Sequence, residues 1–287
     1  MALEEKHGLV RGQAGDERAA VDTLTALCNR VENLDLPGLS GDEAASFLWY
    51  EHDTPAGFAG VGSEEVAEAW IMVHPGHRRR GIGSTLLAAV RSACVDQGAR
   101  QCLLVCDEAS PSGPAFVRAT GAQHAFSEYR MALDPARIDR SRPRDTRLQL
   151  RSADANDLDA IVGIIGAAFG DPITEVHERV ASGLADSRQS YYLATLDGAS
   201  IGTLRTSDHG TIYITAFAVL PQFQGRSFGR QMLIEAVDAL LARGHRAIEI
   251  EVETENRNAL GLYQACGFRE ATTYGYYRLD IGAADGE

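Results

Sequence analysis

Apolar and polar positions along this chain follow two rhythms. Across residues 248–253, Ile248, Ile250 and Val252 alternate with Glu249, Glu251 and Glu253, the period-two pattern of a strand with one apolar face. Asn256 follows at a helix-capping position, a short helix carries Tyr263, and Gly267 is placed to end it. Apolar residues recur at helical spacing over residues 19–31, 83–97, 158–169 and 229–243. Strands are predicted at residues 9–11, 47–50, 57–61 and 69–73. A matching set is predicted at 148–151, 191–195, 200–206 and 211–219.

The second set repeats the first. Residues 73–134 overlay residues 219–280 at a constant offset of 146 without a gap. Gly83 falls on Gly229, Leu87 on Leu233, Gly98 on Gly244, Leu104 on Ile250 and Gly121 on Gly267. The chain therefore reads as two copies of one fold. We expect domains at residues 1–134 and 148–287, joined by a charged linker at 135–147 that is broken by Pro135 and Pro143. Each copy reads as an α/β domain, a mixed sheet with helices on both faces.

Composition narrows the class. A length of 287 residues suits two domains, and 45% apolar with 23% charged content is that of a globular protein. The net charge is −13, with both halves acidic. That argues against nucleic acid or an anionic membrane as partner and is compatible with an amine-bearing substrate. The first residues are acidic and lack an apolar core, and the longest apolar run, 161–169, is too short to cross a membrane. A cytoplasmic location is expected. Five cysteines, at 28, 94, 102, 106 and 266, form neither a disulfide framework nor a zinc spacing, so no metal is expected. Cys266 is read as core packing.

Each copy carries a turn between a strand and a helix. The first is Pro75-Gly-His-Arg-Arg-Arg-Gly-Ile-Gly83 and the second Pro221-Gln-Phe-Gln-Gly-Arg-Ser-Phe-Gly229. Such a turn aims free N–H groups and the positive helix end at one spot, a candidate pyrophosphate site. Arg78, Gly81 and Gly83, then Gln224 and Gly229, fit the pattern Gln/Arg-x-x-Gly-x-Gly/Ala, with Ser227 in place of the first glycine in the second copy. Asn256, Ala259, Tyr263, Gly267 and Phe268 fit Asn-x-x-Ala-x-x-x-Tyr-x-x-x-Gly-Phe. Together these resemble the GNAT N-acetyltransferase superfamily over nearly the whole chain, as two tandem domains.

The resemblance implies mostly antiparallel sheets and acetyl-CoA as cosubstrate. In the second copy it implies cofactor contacts from Phe217, Ala218, Val219, Gln224, Gly225, Arg226, Ser227, Phe228, Gly229, Arg230 and Asn256. In the first it implies contacts from Val73, Arg78, Arg79, Arg80, Gly81, Ile82, Gly83 and Ser84. It implies direct attack by the primary amine of a small molecule or peptide, with Glu251 as base and Tyr263 as acid. At the same offset these two correspond to Val105 and Val117. The acid–base pair is thus expected in the second copy alone, and the first is expected to be degenerate. Two other readings stay open: a solvated glutamate face with Tyr263 in the core, and a non-catalytic acyl-CoA-binding or sensing protein.

Overall fold

The structure is a computed structural model that describes residues 7–12, 18–34, 36, 43–62 and 66–282. Its first part contains β1 (Gly8–Arg11), α1 (Arg18–Glu32), β2 (Glu43–Glu51), β3 (Thr54–Gly62), β4 (Ala67–Val73), α2 (Ile82–Asp96), β5 (Gln101–Asp107), α3 (Gly113–Ala119) and β6 (Gln123–Leu133). Then come β7 (Leu148–Ser152), α4 (Leu158–Phe169), α5 (Ile173–Ala185), β8 (Gln189–Leu196), β9 (Ala199–Asp208), β10 (Ile212–Val219), α6 (Phe228–Ala242), β11 (Ile248–Glu253), α7 (Arg257–Ala265) and β12 (Phe268–Asp280).

Contacts divide the chain into two compact units, Met1–Glu128 with Thr272–Glu287, and Tyr129–Ala271. This differs from the linear cut expected at 134 and 148, for two reasons. The end of β12 pairs antiparallel with β5, from Tyr274↔Asp107 to Asp280↔Gln101, and so belongs to the first unit. The linker is tied to α6 in the second unit, where Arg140 and Arg144 both pair with Asp238, at 2.7 and 3.0 Å.

In the first unit the sheet runs β1, β2, β3, β4, β5 and then the end of β12. Alternation along β2 decides which helix covers which face. Leu48 packs with Val21, Leu24 and Cys28 of α1. Its neighbour Phe47 packs with Ile82, Leu86 and Val90 of α2. In the second unit the order is β7, β8, β9, β10, β11 and the end of β6. Tyr191 and Leu193 meet α4 and α5 through Ile161, Ile165, Val176 and Val180. Ala194, from the other face, meets Phe228 and Met232 of α6. Helices cover both faces of each sheet, as the sequence pattern predicts.

Each sheet has one parallel join near its centre. In the first unit β4 and β5 pair at Ala67↔Cys102, Glu68↔Leu103 and Ala69↔Leu104. In the second, β10 and β11 pair at Ile212↔Ile248, Tyr213↔Glu249 and Ile214↔Ile250. Both registers stop there although all four strands continue. The unpaired ends splay, and the Gly-containing turn and α2 or α6 follow directly from the splayed strand. Among the described residues, no helix is long and apolar enough to cross a membrane.

Candidate active site

The two turns share one backbone shape. In the first unit Arg79 and Gly81 are left-handed, with φ of 65° and 88°. In the second, Gly225 and Ser227 are left-handed, with φ of 72° and 66°. Each turn thus spends a glycine on one left-handed position and a side-chain-bearing residue on the other, in opposite order. The serine at 227 leaves the turn's path intact at the cost of a strained conformation. Neither α2 nor α6 has a side-chain cap at its N-terminus. Their first N–H groups are open to an anion, as a pyrophosphate cradle requires.

The first residue of each motif has a job that spacing did not reveal. Arg78 Nε donates to the Val73 carbonyl at 3.1 Å. Gln224 Nε2 donates to the Val219 carbonyl at 2.9 Å. Both side chains fold back and brace the turn against the strand it leaves. Arg78 is committed further, for its guanidinium forms a two-point pair with Glu32 of α1, with Nη2 2.7 Å from Oε2. The Glu32 side chain is only 9% exposed. Arg78 is thus held by Glu32 while it still lines the cavity of the first unit. Glu32 lay outside every motif. Removing its carboxylate leaves a part-buried guanidinium without its partner, so Glu32→Ala is expected to cost about 2–3 kcal/mol in urea unfolding.

The splayed strands of the first unit enclose a cavity of about 1020 Å³. Trp70, Met72, Val73, Gly83, Phe116 and Val117 are among its lining. Gly83 is needed at its edge, because a Cβ there would lie 3.2 Å from the Phe116 ring. Ile82 and Ser84 also line this cavity, Ile82 from the core at 2% exposed. Val105 and Val117, the repeat equivalents of Glu251 and Tyr263, both line it. The cavity holds the space for a ligand and lacks the acid–base pair.

The second unit differs where chemistry is expected. The β9–β10 register breaks between Thr215 and Ala218, and Ala216 takes φ of 47°. This bulge lies just past the last β10–β11 pair and re-aims the strand end at Phe217–Val219. In the first unit β3 and β4 pair from Gly57↔Val73 to Val61↔Ala69 without such a break. The Phe217 ring stands 6.2 Å from that of Tyr263, centre to centre. Gly229 lets α6 start close to Phe217 and Val219, 3.4 and 3.5 Å from where a Cβ would sit.

Tyr263 is 8% exposed and packs with Ile248, Ile250 and Val252. Its hydroxyl makes no hydrogen bond among the described residues. Burial pushes its pKa up to about 12, with a smaller contribution from Cys266. Glu251 is exposed and alternates with the apolar residues that Tyr263 touches, so its side chain leaves β11 on the other side. The two are not hydrogen-bonded to each other. Glu249 lies 3.6 Å from the Arg130 guanidinium, whose side chain is 5% exposed. Asn256 Oδ1 accepts from the Ala259 N–H at 3.1 Å and caps α7, as its position suggests. Cys266 is fully buried with its thiol pushed to about 12 by burial, which fits packing.

Around the second turn the linker supplies the charge. A pocket of about 320 Å³ is lined by Arg140, Arg142, Arg144, Arg226, Ser227 and Arg230, among others. Arg230 is 7% exposed and pairs with Asp139 at 2.8 Å. It holds the linker rather than standing open. Arg142 Nη1 donates to Ser227 Oγ at 3.2 Å. Arg226 lies over the Phe223 ring at 5.9 Å. Neither Arg142 nor Arg226 has a carboxylate partner among the described residues. Phe228 is 7% exposed and anchors the start of α6 in the core. The arginine-rich run from 137 to 147 was the available signal for this role.

Tyr191, Tyr192, Tyr274 and Tyr276 are core residues. Tyr274 meets Trp70 edge-on at 5.2 Å, and Tyr276 stacks on Phe126 at 4.5 Å, all within the first unit.

Twice over, then, a splayed parallel join leads into an uncapped helix through a braced left-handed turn, the features of a tandem acyl-CoA-dependent α/β transferase. The sequence profile of the acetyltransferase (GNAT) family matches residues 17–121 and again 126–268. The chain belongs to that family and is an acetyltransferase. A mycothiol acetyltransferase of Clavibacter sepedonicus is 28% identical over 275 residues, covering 91% of this chain and 89% of the relative. That of Kineococcus radiotolerans is also 28% identical, covering 90% and 92%. The crystal structure of a GCN5-related N-acetyltransferase from Sphaerobacter thermophilus superposes with a TM-score of 0.78 at 20% identity, covering 95% of this chain and 96% of that one. A tandem GNAT protein from the clavulanic acid biosynthesis pathway gives 0.74 at 17% identity, covering 96% and 99%. At these identities both solved structures establish the fold.

Proposed function

We propose that the second unit transfers acetyl from acetyl-CoA to the primary amine of a small molecule by direct attack. The amine nitrogen bonds to the thioester carbonyl carbon and the carbon–sulfur bond breaks. The amine loses one proton and the departing sulfur gains one. Glu251, whose side chain leaves β11 on the face opposite Tyr263, takes the first through water, and Tyr263 returns the second. The observation that carries this reading is Tyr263, whose hydroxyl makes no hydrogen bond among the described residues and whose ring lies 6.2 Å from that of Phe217 at the bulged end of β10.

A phenol near pKa 12 looks too weak an acid for a thiolate, whose free pKa is about 8.5. Transfer to the departing sulfur therefore has to occur as the carbon–sulfur bond breaks, where the developing charge on sulfur makes it the stronger base. Arg142 and Arg226, with the N–H groups of α6, are assigned to the cofactor phosphates. The first unit, with its cavity and with valines at both catalytic positions, is assigned to holding an acyl-CoA without turnover.

The names of the relatives point to a mycothiol precursor amine as the acceptor, with other small amines as the alternative. The test incubates the full chain with acetyl-CoA and a panel of amines that includes a cysteinyl amine. Product is read by mass spectrometry, because a thiol acceptor would mask thiol release. Acetyl-CoA binding with no amine acetylated would overturn the catalytic assignment.

A further inference from the structure

We propose that His7, Glu51 and His52 form a binding site for a zinc-class divalent ion, separate from the acetyl-transfer machinery. One nitrogen from each histidine and one oxygen from the glutamate all lie within 4.8 Å of one another. Neutral imidazole with a single carboxylate is a donor set suited to zinc, which takes three protein ligands and water at an open site.

The backbone brings the three together. Strands β1 and β2 are antiparallel with Gly8 opposite Tyr50. The next step of that register sets residue 7 opposite residue 51. Glu51 in turn pairs with Thr54 of β3, leaving His52 and Asp53 as a two-residue hairpin loop. Both have left-handed φ, 49° and 62°, as a tight type I′ turn requires. His52 therefore sits at a fixed corner beside the 7–51 rung.

The carboxylate is already oriented. Trp49 Nε1 donates to Glu51 Oε1 at 3.1 Å. The other oxygen, Oε2, faces His7 Nδ1 at 4.0 Å. This is the arrangement in which an outer hydrogen bond fixes a ligand's direction. The two imidazole centres are 5.3 Å apart and tilted by 41°, too oblique to be a stack. Tetrahedral zinc would hold its ligand atoms about 3.4 Å apart. The present spread closes to that by small side-chain rotations, and the His7 side chain is 58% exposed. Arg80 and His77 also act on Glu51 and oppose a cation there. An ion that binds must displace their influence.

The test is equilibrium dialysis of the chelator-treated full chain against zinc alone, with cobalt as a spectroscopic substitute. One ion per chain is expected, with a cobalt spectrum of nitrogen and oxygen ligation and no thiolate band. His7→Ala and His52→Ala should each weaken binding at least tenfold, and Trp49→Phe should weaken it while keeping the stoichiometry. His177→Ala, a histidine of α5 in the second unit, should leave binding unchanged. Failure to bind, a thiolate spectrum, or zinc affinity unaltered in the His7→Ala/His52→Ala double variant would overturn the proposal. None of these readouts depends on acetyl transfer.

Discussion

Tyr263→Phe is expected to lower kcat by about 10²-fold or more, the usual worth of a positioned proton donor. The change keeps the ring that packs with Ile250 and Val252. It removes a hydroxyl with no hydrogen-bond partner among the described residues, so stability should hold within about 1 kcal/mol. Activity and stability therefore separate, which a merely structural tyrosine would not allow. Because the folded pKa is raised to about 12 from an ordinary 10, the phenol stays protonated through the neutral range. No alkaline loss of kcat from this group is expected below about pH 11. The linkage sign follows. The folded chain holds this proton more tightly than the unfolded chain, so its contribution to stability is complete below pH 10 and is lost as pH rises from 10 to 12. Steady-state rates and urea midpoints across pH check both statements.

Gly267→Ala is expected to cost about 2–5 kcal/mol, against about 1–2 kcal/mol for Gly121→Ala. The two glycines are repeat equivalents, and both are left-handed, with φ of 96° and 81°. A Cβ at 121 meets nothing within 4 Å. A Cβ at 267 would come within 2.8 Å of the Asp134 carbonyl oxygen and 2.9 Å of the Ile138 side chain. The linker crosses there, and the Asp134 N–H donates to the Gly267 carbonyl at 2.9 Å. Conformational strain is common to both positions, while overpacking against backbone belongs to 267 alone. Urea unfolding of the two variants side by side measures the difference.

Much of the fold was legible because its signals are local. Strand alternation in β11, the Asn256 cap and the helix at Leu158–Phe169 depend on neighbours in sequence, and all stand where the pattern put them. The internal repeat located both turns. What stayed hidden depends on residues distant in sequence. Nothing in the Arg78 motif announces its partner Glu32, 46 positions away. Nor does the second motif announce that Arg230 pairs with Asp139 of the linker. The side from which Glu251 leaves its strand was written in the alternation, but not the fact that Tyr263 packs on the other side. Zinc-type spacing was sought along the chain, whereas His7 meets Glu51 only through strand register.

The route of β12 bears on how this protein is made. The first unit draws its last strand from Thr272–Asp280, which is synthesised after β1 to β11. On the ribosome that sheet keeps an open edge at β5 until β12 emerges, by which time β7 to β11 of the second unit have been made. The half that begins the sequence is therefore the half that finishes folding. A fragment ending at residue 134 would expose an unpaired edge to other chains, a recognised route to aggregation.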